Sequence, residues 1–183
     1  MRVGAVILAA GAGERLGGRC KAALRLPDGQ TFLEAIVASA RAAGVAPVVV
    51  VAGPPHADET RRLAAGATVV DNPDPSRGML SSLLVGLAAV GDGVDAALMW
   101  PVDHPYVSPA TVAAVVAAAT SDAAVVPTAN GRGGHPTAFG RDLWPALAAA
   151  HTARDVLAAA PVVRIAVEDP GATRDVDRAE DLG

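Results

Sequence analysis

Six short apolar runs punctuate this chain of 183 residues and constrain its fold more than any other feature. They are VGAVILAA (3–10), PVVVVAG (47–53), ATVVDN (67–72), DAALMWP (95–101), DAAVVP (122–127) and VVRIAV (162–167). Each is continuous, and most are rich in β-branched residues, the pattern of strands covered on both faces. Between them lie alanine-rich stretches with helical spacing. TFLEAIVASARAAG (31–44) opens on Thr31 as N-cap, with Glu34 completing a capping box, and stops at Gly44. SPATVAAVVAAAT (108–120) begins on Ser108 with Pro109 at the first helical position. PPHADETRRLAAG (54–66) and SSLLVGLAAVG (81–91) complete the set. Strand and helix in alternation predict an α/β three-layer sandwich around a mostly parallel sheet, and no linker divides residues 1–183 into two domains. In such sheets ligands sit beyond the carboxyl ends of the strands, so the segments that follow each strand carry the function.

Composition narrows the function classes. The chain is 51% hydrophobic and 19% charged, as a packed globule requires. A formal charge of −4 gives no basic footprint for nucleic acid or for an anionic membrane surface. No apolar run reaches the ~20 residues of a spanning helix, and the first residues lack the basic flank and cleavage site of a signal peptide. The single cysteine, Cys20, excludes an internal disulfide and suits the cytoplasm.

The first strand runs directly into LAAGAGERLGGRCKAAL (8–24), with four glycines, two arginines and Lys21, the only lysine among fifteen basic residues. A compact ammonium retained where arginine serves everywhere else suits contact with a phosphate. The loop fits neither familiar template. For G-x-G-x-x-G the sixth position is Leu16, and no acidic residue ends the second strand. For G-x-x-x-x-G-K-[ST], counted from Gly13, Arg19 and Cys20 stand where lysine and a hydroxyl belong.

Four other segments carry candidate chemistry. After the fourth strand, Pro101 and Pro105 stiffen the turn that presents Asp103, a carboxylate suited to Mg²⁺. Near the C-terminus, Asp177 with Glu180 reads as a cap on a final short helix, whereas Asp175 has no such duty and sits at the end of an extended stretch. DNPDPSRGMLSSLLVG (71–86) brings Asn72, Gly78, Ser81 and Ser82 to a helix N-terminus, with Arg77 as additional charge. TANGRGGHPTAFGRDLW (128–144) reads as a mobile glycine loop bearing Gly134 and His135. His56, His104 and His151 have no zinc-ligand spacing with one another or with Cys20. Cys20, between Arg19 and Lys21, is placed for a lowered pKa but has no evident partner base.

The pattern L-A-A-G-x-G-x-R-x-G followed by lysine resembles the signature of nucleotidyltransferases related to the molybdenum cofactor guanylyl- and cytidylyltransferases. Four further stretches are similar to that family in the same order: N-x-x-x-x-x-G-M-x-x-S from Asn72, PVDHP around Asp103, G-H-P-x-x-F from Gly134, and the D-x-D of Asp175 and Asp177. At this last stretch Arg178 and Ala179 replace the family's Thr-Pro. The resemblance implies that the backbone of Leu8, Ala9, Ala10 and Gly11 meets the base, and that Gly13 and Arg15 wrap the triphosphate. It further implies that Lys21 contacts phosphates, that Asp103 and Asp175 hold Mg²⁺, and that the segment of Asn72, Gly78, Ser81 and Ser82 borders the base. Gly134 and His135, with His104 beside them, would face the acceptor. L-A-A-G is similar to the CTP-using branch, which makes CTP the expected donor and the phosphorylated molybdenum-bearing pterin the expected acceptor, with a molybdoenzyme as a possible partner. Three alternatives stay open: a dye-type oxidoreductase using a nicotinamide cofactor, a nucleotide-binding chaperone without turnover, and a sugar-phosphate nucleotidyltransferase.

Overall fold

The computed structural model describes residues 1–178 and 181. Its strands are β1 (Val3–Leu8), β2 (Val48–Ala52), β3 (Thr68–Asp71), β4 (Ala96–Pro101), β5 (Ala124–Ala129), β6 (Arg132–Gly133), β7 (Thr137–Gly140) and β8 (Val162–Ala166). The helices are α1 (Phe32–Ala42), α2 (Ala57–Leu63), α3 (Met79–Val90), α4 (Pro109–Ala118), α5 (Trp144–Ala149) and α6 (Ala153–Ala159). Every predicted strand is present. So are the four predicted helices, with the Thr31–Glu34 capping box and the Ser108 cap both formed.

All eight strands join one sheet in the order β3-β2-β1-β4-β7-β5-β6, with β8 also pairing β5. The pairs β1–β2, β1–β4, β2–β3 and β5–β8 are parallel, whereas β7 is antiparallel to both β4 and β5. Two successive reversals leave β5 and β8 pointing the same way as β1 to β4. The six predicted strands therefore run in one direction, and the short β6 and β7 are the exceptions.

Period-two alternation explains the three layers. Ala5 and Ile7 of β1, Val50 of β2, and Leu98 and Trp100 of β4 enter one core cluster with residues of α1 and α4. Val6 and Leu8, Val49 and Val51, and Ala97 and Met99 enter a second cluster with residues of α3, α5 and α6. Every residue of β1, β2 and β4 is buried, which is why these runs are apolar throughout. The stretch read as a mobile glycine loop is corrected in this frame. Residues 124–140 form a reversing segment whose β7 is inserted between β4 and β5, with Met99 opposite Thr137 and Ala124 opposite Phe139. Gly134 has no room for a side chain, because a Cβ there would overlap the Ala172 carbonyl. Helices α5 and α6 were not foreseen, although Thr152 and Asp155 form a capping box at the start of α6.

Candidate active site

The carboxyl ends of β1 and β4 lie side by side, with Leu8 opposite Pro101. The glycine loop therefore emerges next to the turn that carries Asp103. Gly13 adopts φ +66°, and a Cβ there would overlap the Arg19 carbonyl, so the loop closes on itself only with glycine at this position. Leu16 and Cys20 are buried and anchor the loop from below. Arg15, just before Leu16, extends into solvent with its side chain 74% exposed.

Lys21 stands at the centre. Its ammonium donates to Asp103 Oδ2 at 3.0 Å and to Asp177 Oδ1 at 2.6 Å, while Arg15 donates to the other Asp177 oxygen at 2.7 Å. Burial works to depress the Lys21 pKa, but the two carboxylates outweigh it and hold the group above its ordinary value. The Lys21 hydrogen bond, opposed by burial, draws the Asp177 carboxyl below the usual range. Both groups are thus charged at neutral pH.

The Asp103 side is unfinished in one respect. Its Oδ1 is buried and has no hydrogen-bond partner among the described residues. An unpaired buried carboxylate oxygen is costly, and a hard cation would satisfy it. Val176 is buried, and its N–H donates to the Asp103 carbonyl at 2.8 Å, which lays residues 175–177 along the Asp103 turn. Asp175 is exposed and makes no side-chain hydrogen bond among the described residues. It lies near enough to raise the affinity of His104 for protons. The two Asp177 oxygens accept from Lys21 and Arg15, partners that the cap reading of Asp177 did not include. The Asp181 carboxylate instead accepts from the N–H groups of Asp177 and Arg178. Glu180 lies outside the described residues.

A cavity of about 620 Å³ opens over the loop, lined by Ala10, Gly11, Gly13, Arg15, Lys21 and Asp177 among others. A smaller one of about 190 Å³ adjoins it through Lys21 and reaches Leu8, Gly78, Ser82 and Asp103. Ala9 is buried beneath them. Asn72 and the two serines spend their side chains on one another. The Asn72 amide donates to Ser81 Oγ and Ser82 Oγ, each at 2.9 Å, and Ser81 donates to the Gly78 carbonyl. These contacts fix the start of α3 at the cavity wall.

Beyond Gly78 and Met79 a third cavity, of about 790 Å³, includes Gly134, His135, Arg77, Arg154 and Arg164 in its lining. The His104 and His135 rings pack with centroids 4.6 Å apart. Burial first, then the neighbouring His104, push His135 down to about 4, and burial also lowers His104. His135 is therefore neutral at neutral pH. Trp100 holds the turn between them, its indole N–H donating to the His104 carbonyl at 3.0 Å. The arginines Arg154 and Arg164 were not singled out in the sequence, since nothing local distinguishes them from solvated charges.

Burial raises the Cys20 pKa, which corrects the expectation of a lowered one. Among the described residues no helix is long and apolar enough to cross a membrane.

Comparison with known proteins places this geometry. The chain is 34% identical over 169 residues to the 2-C-methyl-D-erythritol 4-phosphate cytidylyltransferase of Frankia casuarinae, covering 92% of this chain and 56% of that protein. It is 37% identical over 147 residues to the molybdenum cofactor guanylyltransferase of Acidiphilium cryptum, covering 79% and 68%. The bifunctional protein GlmU of Xanthobacter autotrophicus is 33% identical over 139 residues, covering 74% of this chain and 31% of that protein. The chain thus spans about a third to somewhat over half the length of the GlmU and erythritol-phosphate relatives. The crystal structure of Rv0371c from Mycobacterium tuberculosis H37Rv superposes with a TM-score of 0.85 at 31% identity, covering 99% and 95% of the two chains. The same protein has also been solved in complex with manganese, with a TM-score of 0.81 at 29% identity and coverage of 99% and 96%. The MobA-like NTP transferase domain matches residues 5–165, and the chain belongs to that nucleotidyltransferase family.

Proposed function

We propose that the protein transfers a nucleoside monophosphate, CMP from CTP foremost, to a phosphate of the molybdenum-bearing pterin and releases pyrophosphate. The observation that carries this reading is Lys21, the chain's one lysine, held at 3.0 and 2.6 Å from Asp103 and Asp177 where the glycine-loop cavities meet. The loop supplies backbone N–H groups and the flanking cations supply charge, which is what a triphosphate requires. The attacking phosphate is already ionised near neutral pH, so no general base is needed. Lys21 and Arg15 turn from Asp177 toward the phosphates and offset the charge that grows as pyrophosphate departs. The arginines of the third cavity supply the positive charge that an anionic acceptor requires, beside a His135 that burial keeps neutral.

Mg²⁺ fits this site, since Asp103 Oδ1 is a buried acceptor without a hydrogen-bond partner among the described residues and the neighbouring donors are carboxylate oxygens. Asp103 and Asp175 would hold the ion, Asp175 being exposed and without a side-chain hydrogen bond among the described residues. Bound there, the ion would supply Lewis-acid neutralisation of phosphate charge. The manganese complex of the Rv0371c relative supports a divalent ion in this family.

The relatives divide between a cytidylyltransferase and a guanylyltransferase by name. A pyrophosphate-release panel with CTP, GTP, ATP and UTP, each with Mg²⁺ and with or without molybdenum cofactor, tests donor and acceptor together. Acceptor-dependent release with CTP is expected. Release with GTP alone overturns the donor, and release that ignores the pterin overturns the acceptor. Binding of CTP and pterin without release would indicate the chaperone instead, and tight NADH binding the reductase.

A further inference from the structure

At the end of the glycine loop, Cys20 meets two residues from the start of α2. Cys20 ends the loop, His56 caps α2, and Glu59 lies one turn into that helix. Their ligand atoms all lie within 4.8 Å of one another, and they line a depression together with Gly18, Arg19, Ala23 and Leu24. We infer that this triad is a binding site for a thiophilic divalent cation, Zn²⁺ in the first instance, distinct from the hard-cation position at Asp103.

The histidine geometry carries the inference. His56 Nε2 lies 3.2 Å from the Ala12 carbonyl. A carbonyl oxygen only accepts, so Nε2 bears a proton, which leaves Nδ1, on the other side of the ring, as the nitrogen that can face a metal. That nitrogen faces Glu59 Oε2 across 3.9 Å, beyond hydrogen-bond distance and close to the separation of two ligands on one cation. A backbone carbonyl that accepts the second ring N–H is also the arrangement that orients histidine ligands to metals. The i,i+3 spacing puts His56 and Glu59 on one helix face. The Cys20 sulfur, 3.8 Å from Thr60 Oγ, closes the third side. With bonds of about 2.0–2.3 Å, tetrahedral ligand atoms sit about 3.3–3.8 Å apart. The required contraction falls on Glu59, whose side chain is 45% exposed and free to swing inward.

Spacing along the chain argued against a zinc site because it compared only histidines and cysteine. The fold adds a carboxylate from α2. Three protein ligands leave a fourth position for water. Because Ala12 and Cys20 bracket the loop and both contact this cluster, an ion there clamps the loop to α2 and fixes the backbone immediately before Lys21.

The test uses the full chain, stripped of metal and held in excess Mg²⁺ so that the carboxylate rim is saturated. Co²⁺ is titrated as a spectroscopic probe and Zn²⁺ as competitor. One equivalent of Co²⁺ is expected to give a thiolate charge-transfer band and four-coordinate visible bands, both abolished by Zn²⁺. His56→Gln and Glu59→Gln, on the half-buried and exposed members, should each weaken Co²⁺ binding at least tenfold. Cys20→Ser should lose the charge-transfer band with an unchanged far-ultraviolet circular dichroism spectrum, and Asp103→Asn should keep it. Absence of the band in the parent protein overturns the site. So does Co²⁺ affinity in His56→Gln and Glu59→Gln equal to that of the parent, since the thiol would then be binding alone.

Discussion

Two glycine-rich segments of this protein look alike as text and differ in kind as structure. Residues 11–18 leave β1, turn through Gly13 at positive φ and remain a loop with an open cavity above it. Residues 130–136 reverse the chain between paired strands, and Gly134 is pressed against the Ala172 backbone. In the first segment glycine leaves space that a ligand can enter. In the second it removes a side chain so that two backbones can touch. Glycine content reports close approach of something to the backbone, and only pairing across the sheet tells whether that partner is substrate or protein.

The contrast is easiest to break at its charged end. Lys21→Ala should lower turnover about 10³-fold or more, some 4 kcal/mol of transition-state stabilisation, with the circular dichroism spectrum unchanged. Retained turnover would reduce the first segment to a structural turn. Asp103→Asn should cost about 10²–10³-fold and weaken the dependence on Mg²⁺. Asp175→Asn should raise the Mg²⁺ requirement, whereas Asp177→Asn should leave it unchanged and lower turnover through loss of the carboxylate that positions Lys21 and Arg15 before nucleotide binds. The reverse assignment would exchange the two carboxylates.

The second segment should respond to pH through His135. Burial sets its folded value at about 4, below the 6.5 of an exposed imidazole, so the unfolded chain takes up the proton first as pH falls. Stability is complete above about pH 6.5 and is lost as pH falls toward 4, by at most about 3 kcal/mol. Denaturant titrations of the parent and of His135→Gln check this, since the variant should lose that part of the slope. Gly134→Ala should destabilise the fold by about 1–3 kcal/mol through overlap with Ala172. Gly11→Ala, with open space around it, should change stability by no more than about 0.5 kcal/mol while weakening nucleotide binding. If both variants lost equal stability, the two segments would be the same kind of loop.

Much of this was legible in advance for physical reasons that act locally. Strands buried on both faces must be apolar throughout, so β1, β2 and β4 announce themselves. Capping boxes place orphan N–H groups within three residues, so α1 begins where Thr31 and Glu34 indicate. Strand β7 was not legible, since its four residues have no alternation of their own and owe their conformation to β4 and β5. Asp177 was missed for a similar reason. Its spacing to Glu180 suggests a cap, and its true partners, Lys21 and Arg15, are more than 150 residues away.

Sequence alone determined the alternation of strand and helix, the loop after β1 and the carboxylate after β4, because local propensity and burial act on neighbours in the chain. Tertiary structure alone decided which charge meets Lys21, that a glycine segment becomes sheet, and that Cys20, His56 and Glu59 share one hollow. Those outcomes depend on distances between residues far apart in sequence, and no local pattern encodes such distances.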